Sequence, residues 1–178
     1  VGPDKGLLGD VLDQIRVADH PSDQPLDPAL VFQHQQLERL LGPRGVALVQ
    51  TITMNERRFE AYRRRPDFIQ KHVFPGGVLA SLHHATGAMM EAGTLVVHHL
   101  EDIGIHYART LALWRGAFLS RLDEVRALGF DERFVRTWTY YLAVCEAAFR
   151  TGHLHDFQLQ LAREGSRSAK LTEQLLER

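Results

Sequence analysis

The segment VALVQTIT, residues 46–53, leaves a chain few choices of fold. It is short, rich in β-branched side chains and almost continuously apolar, and Gly45 closes it in front. That pattern predicts a buried strand of a parallel sheet, which needs neighbouring strands and helices to cover it. Two further segments qualify as neighbours. TLVVHHLEDIG, residues 94–104, is the second strand candidate. HDFQLQLARE, residues 155–164, alternates Phe157, Leu159 and Leu161 with Gln158 and Gln160, as a half-buried strand should.

Helical patterns fill the intervals. Asp27 is placed to cap a helix with Pro28 at its first position and Leu30, Phe32, Leu37, Leu40 and Leu41 on its apolar side, ended by GPRG at 42–45. Residues 55–73 form a basic helical stretch broken by Pro66. FPGG at 74–77 is a turn, and LASLHHATGAMMEAG is a helix closed by Gly93. Two long helices follow, at about 106–128 and 131–152, divided by Gly129 and capped by Asp131. This is an α/β order. Three strands make a thin sheet for an independent doubly wound domain, and the pattern resembles the second half of one. Ahead of it, residues 1–29 form an irregular glycine- and proline-rich segment with one short amphipathic helix, LLGDVLDQIRV. Residues 165–178 read as a tail or short helix.

With 178 residues, 44% hydrophobic and 24% charged, the chain has the content of one soluble domain. The balance of 21 basic against 22 acidic side chains argues against a dedicated nucleic-acid binder. A single cysteine, Cys145, excludes an internal disulfide framework and fits a reducing compartment, with the cytoplasm as the default. No apolar run reaches the roughly 20 residues of a membrane span, and VGPDKG lacks the pattern of a signal peptide.

The ten histidines include the pairs His83–His84 and His98–His99. Neighbours on a helix point about 100° apart and neighbours on a strand point to opposite faces, so neither pair predicts a metal site. No GxGxxG or GxxxxGK loop is present. The cluster RRRP at 63–66, with Arg57, Arg58 and Lys71, reads first as a solvated helix face. Its functional alternative is contact with anionic phosphate, including lipid head groups.

Two aromatic stripes stand out. Tyr107, Leu111, Trp114 and Phe118 share one helix face, and Phe134, Trp138, Tyr141, Cys145 and Phe149 share another. Consecutive helices with such stripes most often pack together as core. The hydroxyls of Tyr107 and Tyr141 leave the lining of an apolar ligand site open as the alternative.

Four blocks, taken in order, resemble the cyclopropane-fatty-acyl-phospholipid synthase family: LLGPRGVALVQTIT at 40–53, DFIQKHVFPGGVLAS at 67–81, LEDIGIHYARTLALW at 100–114 and GFDERFVRTWTYYLAVCEAAFRTG at 129–152. The resemblance covers most of residues 30–163. It implies that residues 30–164 are the C-terminal portion of a Rossmann-like class I methyltransferase domain, with three strands, the last antiparallel, flanking helices and a long helical pair. It also implies S-adenosylmethionine-dependent methyl transfer to the double bond of unsaturated phospholipid acyl chains, by way of a carbocation that gives up a proton to bound bicarbonate. Carbocation chemistry calls for a dry, aromatic, unreactive channel.

Carried over by position, Tyr107 is similar to the family tyrosine that holds bicarbonate, and Ile52 to the residue whose backbone meets the same anion. Gln50 stands where well-known members have histidine; its amide donates a hydrogen bond but neither carries charge nor shuttles a proton. Phe74, Leu111, Trp114, Tyr141, Cys145 and Phe149 are expected along the acyl channel. Ala80 replaces a proline of the family's usual LPS. The family's glycine-rich cofactor loop and acidic ribose-binding residue are expected upstream of Val1, so no cofactor-binding residue is assigned within the chain. Peripheral contact at the inner membrane face is expected for such an enzyme. The rival reading is a non-catalytic protein: a lipid-binding or partner subunit, associating through an incomplete sheet, or a degenerate fragment.

Overall fold

The structure, a computed structural model, describes residues 28–166. The expected helix LLGDVLDQIRV, the cap at Asp27 and the tail beyond Ser166 lie outside these residues. The described elements are α1 (Pro28–Leu40), β1 (Val46–Met54), α2 (Glu56–Arg64), α3 (Phe68–His72), α4 (Leu82–Ala92), β2 (Leu95–Asp102), α5 (Gly104–Ser120), α6 (Leu122–Ala127), α7 (Glu132–Arg150) and β3 (Leu154–Arg163).

The sheet order is β1-β3-β2, and β3 runs antiparallel to both neighbours. The parallel pairing predicted for VALVQTIT is therefore wrong, although the antiparallel last strand is as the family resemblance implied. Nor is β1 buried on both faces. Ala47 and Thr53 point inward, whereas Leu48, on the opposite pleat, is 69% exposed. Strand β1 is an edge, and its outer side carries one bridge, Met54 to Ser81, among the described residues.

One face of the sheet is covered. Leu159 and Leu161 of the central strand are fully buried in a cluster with Ala47, Phe157 and Met89, and Leu37 of α1, Leu41 just beyond it and Leu82 of α4 pack against them. Burying each leucine contributes about 1.5–3 kcal/mol. Leu40, expected on the apolar side of α1, is exposed. The other face carries Leu48, Gln50, Gln158 and Gln160; α5 and α7 pack on it at the Leu154 end, and further along Gln160 is buried while Leu48 opposite it is exposed.

Those helices form an antiparallel pair around Ala108, Leu111, Leu142, Cys145 and Phe149. The helix expected at 106–128 begins earlier, at Gly104, and breaks at Arg121 into α5 and α6. Gly129, at φ 93°, makes the turn into α7, where Asp131 accepts a hydrogen bond from the Phe134 N–H. The break at Pro66 separates α2 from α3 as expected; Asp67 and Gln70 form a capping box at the start of α3.

Candidate functional site

Ile52 on β1 lies opposite Asp156 on β3, and Gln50 lies opposite Gln158. Side chains at steps of two share a face, so all four point the same way, toward the end of the sheet that meets α5. The Gln50 amide is held from both sides: its Nε2 donates to Asp156 Oδ2 at 2.9 Å, and its Oε1 accepts from Gln158 Nε2 at 3.3 Å. Asp156 is fully buried. Its Oδ1 has no hydrogen-bond partner.

The start of α5 is clamped to the same place. Ile103 N–H donates to the Asp156 carbonyl at 2.8 Å, and Asp102 Oδ1 accepts from Gly104 N–H at 2.9 Å and from Asp156 N–H at 3.4 Å. The second Asp102 oxygen pairs with His155 Nδ1 at 2.7 Å. A Cβ on Gly104 would stand 3.3 Å from Phe149 Cδ1 and 3.4 Å from the Asp156 nitrogen, so glycine lets the helix approach this closely. One turn later, Tyr107 is set edge-on to Phe149, ring centres 5.0 Å apart.

The electrostatics follow from burial. Burial pushes the Asp156 carboxyl up and the Gln50 hydrogen bond pulls it down, while the Asp102 carboxylate pushes it up further; the net direction is upward. Burial, then the charges of Asp156 and Cys145, raise the Tyr107 phenol. In Asp102, the hydrogen bonds from His155 and Gly104 outweigh burial and hold the carboxyl low. The site thus holds two carboxylates of unlike basicity.

Gln50, Ile52 and Asp156 thus share one face of the sheet, and Tyr107 stands near enough for the Asp156 charge to act on its phenol; Asp156 is a residue the sequence pattern did not single out. Asp156 was legible only as one member of a polar face, Asp156, Gln158 and Gln160, in a strand read for its apolar side.

From this centre an aromatic series extends along α7. Tyr107 meets Phe149, and Tyr141 hydrogen-bonds Cys145 and packs edge-on to Phe74 at 5.7 Å. Trp138 lies 5.1 Å from Tyr141, Phe134 stacks 5.8 Å from Trp138, and Phe130 stacks 4.2 Å from Phe134. At 1.5 Å per residue the span from Phe149 to Phe130 is roughly 28 Å. Leu111 is packed inside the helical pair at 1% exposure, while Trp114 is 41% exposed and edge-on to Tyr107, ring centres 6.1 Å apart. No group of His, Cys, Asp or Glu among the described residues is arranged to hold a metal ion.

The sequence profile of the mycolic acid cyclopropane synthetase family matches residues 30–159. The chain is 43% identical over 129 residues to tuberculostearic acid methyltransferase UfaA1 of Mycobacterium tuberculosis, covering 72% of this chain and 30% of that protein. It is 31% identical over 127 residues to the cyclopropane-fatty-acyl-phospholipid synthase of Escherichia coli, covering 71% and 31%. Among solved structures it resembles mycolic acid cyclopropane synthase CmaA1 complexed with SAH and CTAB, with a TM-score of 0.65 and 26% identity over 74% of this chain and 49% of that one. The chain thus spans about a third of the length of these two curated relatives, and its α/β fold is that of a class I methyltransferase. A profile match of that extent, carried on the same strands and helices, shows that the chain belongs to the mycolic acid cyclopropane synthetase family.

Proposed function

We propose that this chain supplies the acyl-binding and proton-handling part of an S-adenosylmethionine-dependent methyltransferase that alkylates double bonds in lipid acyl chains. The observation that carries the proposal is the aromatic series from Phe130 to Phe149. It is long enough for a fatty acyl chain, and it ends at the half-buried Tyr107 and Ile52 beside the buried Asp156 and the exposed Gln50. The names of the relatives and the SAH and CTAB bound to the similar synthase agree with it.

S-adenosylmethionine supplies an electrophilic methyl group; no glycine-rich loop among residues 28–166 is suited to bind it, so residues outside them hold it. The described residues do the rest. Aromatic faces of Phe74, Trp138, Tyr141 and Phe149 shield a cation on the acyl chain without adding to it, and burial keeps water away. The Cys145 thiol, pushed by burial up to about 12, stays protonated and inert. Bicarbonate fits this site poorly. An anion between Gln50, Ile52 and Tyr107 would face the carboxylates of Asp156 and Asp102, and among the described residues no cationic side chain is one of the groups that shift Asp156. No step is therefore assigned to bicarbonate.

Peripheral membrane contact belongs to the same reading. No helix among the described residues is long and apolar enough to cross a membrane. The turn between α6 and α7 instead presents Leu128 at 73% and Phe130 at 44% exposure at the mouth of the aromatic series. In the Arg63–Arg64 cluster, Glu60 pairs with both arginines, which supports a solvated face there.

The test joins this chain to the cofactor-binding segment of a relative such as tuberculostearic acid methyltransferase. Binding of S-adenosylmethionine is verified by calorimetry, and the chimera is incubated with methyl-labelled cofactor and unsaturated phospholipid. Label should enter the lipid, and Tyr107→Phe should lower the rate by roughly 10- to 100-fold with folding intact. A cofactor-binding chimera that leaves lipid unlabelled, where the intact relative labels it, overturns the proposal.

The second reading, a partner subunit that completes another sheet, draws on the open face around Leu48 and the free edge of β1. Size-exclusion chromatography of the 178-residue chain separates the two: a well-behaved monomer counts against association.

A further inference from the structure

We infer that Asp102 is a positioning residue for methyl transfer: its carboxylate fixes the first turn of α5 on the sheet and thereby sets where Tyr107 stands. The inference rests on the function proposed above. Helix α5 starts without a side-chain cap of its own, since Ile103 at the cap position has no oxygen to offer and makes no such hydrogen bond. Asp102, one residue earlier, takes over that task. Its Oδ1 accepts from the Gly104 N–H at 2.9 Å, the first donor of the helix, and from the Asp156 N–H of β3 at 3.4 Å. Its Oδ2 pairs with His155 Nδ1 at 2.7 Å, and the His155 ring is stacked on Phe157, ring centres 5.4 Å apart. Both carboxylate oxygens are thus spent on the joint between β3 and α5.

That joint leads directly to the phenol. The Ile103 N–H donates to the Asp156 carbonyl at 2.8 Å, and the Ile103 carbonyl accepts from the Tyr107 N–H at 3.0 Å. The residue next to Asp102 therefore links the sheet to the tyrosine backbone through two hydrogen bonds. Space there is tight: a Cβ on Gly104 would stand 3.0 Å from Asp102 Oδ1 and 3.3 Å from Phe149 Cδ1, and Phe149 is the ring against which Tyr107 rests. Stability alone does not account for the arrangement. The His155 and Asp102 side chains are 28% and 41% exposed, and ion pairs open to water stabilise a fold little. Position matters more, because a shift of about 1 Å in a catalytic group costs up to roughly 100-fold in rate. Without the carboxylate, the first turn of α5 keeps its packing but loses the acceptor that fixes it on β3.

Two experiments decide it. In the chimera, Asp102→Ala should lower kcat by roughly 10- to 100-fold and leave KM for phospholipid and the cofactor affinity within about twofold. Asp102→Asn keeps an Oδ1 acceptor and should recover most of the rate. In a Tyr107→Phe background, Asp102→Ala should cost less than about threefold, since a residue that acts through the phenol has nothing left to position. Parent turnover in Asp102→Ala, no recovery by Asp102→Asn, or a loss that multiplies in full with that of Tyr107→Phe overturns the inference. The second experiment needs no catalysis. In the 178-residue chain, nuclear Overhauser contacts between the Tyr107 and Phe149 rings should weaken in Asp102→Ala and persist in Asp102→Asn. Unchanged contacts in Asp102→Ala overturn it. Should Asp102→Ala fail to fold, Asp102→Glu decides: it keeps the charge but displaces it by one methylene, and should weaken the same contacts and slow the chimera, whereas parent contacts and parent turnover overturn the inference. If no chimera labels lipid, the functional proposal fails, and the ring contacts alone still decide whether Asp102 places Tyr107.

Discussion

The carboxylate of Glu38 occupies the space that a Cβ on Gly93 would fill. Glu38 is held there by the Thr94 N–H at 3.0 Å and by Arg163 at 2.8 Å, which ties α1 to the start of β2 and the end of β3. Gly93 is extended, with φ 173°, so its role is space and not backbone conformation. Gly93→Ala should displace Glu38 and cost about 1–2 kcal/mol, the worth of a charge-assisted hydrogen bond or two. In a Glu38→Ala background the same change should cost little. Denaturant melts of the four proteins in a double-mutant cycle measure the coupling.

The stripe on α5 divides into core and surface. Leu111→Ala removes a side chain at 1% exposure from between α5 and α7 and should cost about 2–5 kcal/mol in thermal or denaturant unfolding. Trp114→Ala, at 41% exposure, should cost less than half as much. Equal losses would mean that the pair of helices packs through Trp114.

The only cysteine is shielded by its packing. With a thiol pushed up to about 12 by burial, Cys145 should resist a thiol reagent such as dithionitrobenzoate in the folded chain at neutral pH and react with one equivalent after denaturation. Rapid labelling of the native chain would place Cys145 in an open channel.

Glu146 should give acid sensitivity. Its hydrogen bond to Arg115, 2.8 Å away on α5, together with that to Arg150, overcomes burial and holds its carboxyl below the ordinary range. A carboxyl depressed in the folded state stabilises above its unfolded value, and that contribution is lost as pH falls through the folded one. The denaturation midpoint should therefore drop as the pH goes below about 4.3, and Glu146→Gln should flatten that drop. Asp156 has the opposite sign: raised in the folded state, it withdraws stability as pH rises through its folded value, so Asp156→Asn should steady the fold near neutrality.

If the turn at Leu128 and Phe130 meets a membrane, Leu128→Ser with Phe130→Ser should weaken binding to phospholipid vesicles, read by sedimentation, by roughly 100-fold or more, since each buried apolar side chain contributes about 1.5–3 kcal/mol. Both side chains are exposed, so thermal unfolding should hardly change. Unaltered sedimentation would move the contact elsewhere, to the arginines of α2 first.

Sequence periodicity located each described strand and long helix, because alternation in QLQLA and the i, i+3, i+4 spacing of the stripes are local properties. Pairing partners are not local. VALVQTIT reads as buried because its apolar run ignores which side chain points where, and only the partner strand reveals that Leu48 faces outward. The break at Arg121 has no proline or glycine to announce it. At the site, resemblance singled out Tyr107, Gln50 and Ile52. Asp156 escaped because its significance depends on a residue 106 positions earlier in the chain.

That separation has a consequence for how the chain is made. Strand β3 is the last described strand in sequence, yet it lies between the other two. At a synthesis rate of about 5–20 residues per second, β1 waits roughly 5–20 seconds for the strand that pairs with it. Until Leu154–Arg163 emerges, β1 and β2 have no common partner, and the nascent chain holds its helices around an absent centre. A ribosome stalled before Leu154 would release a product with every described helix but without the strand that joins β1 to β2, a species suited to capture by chaperones.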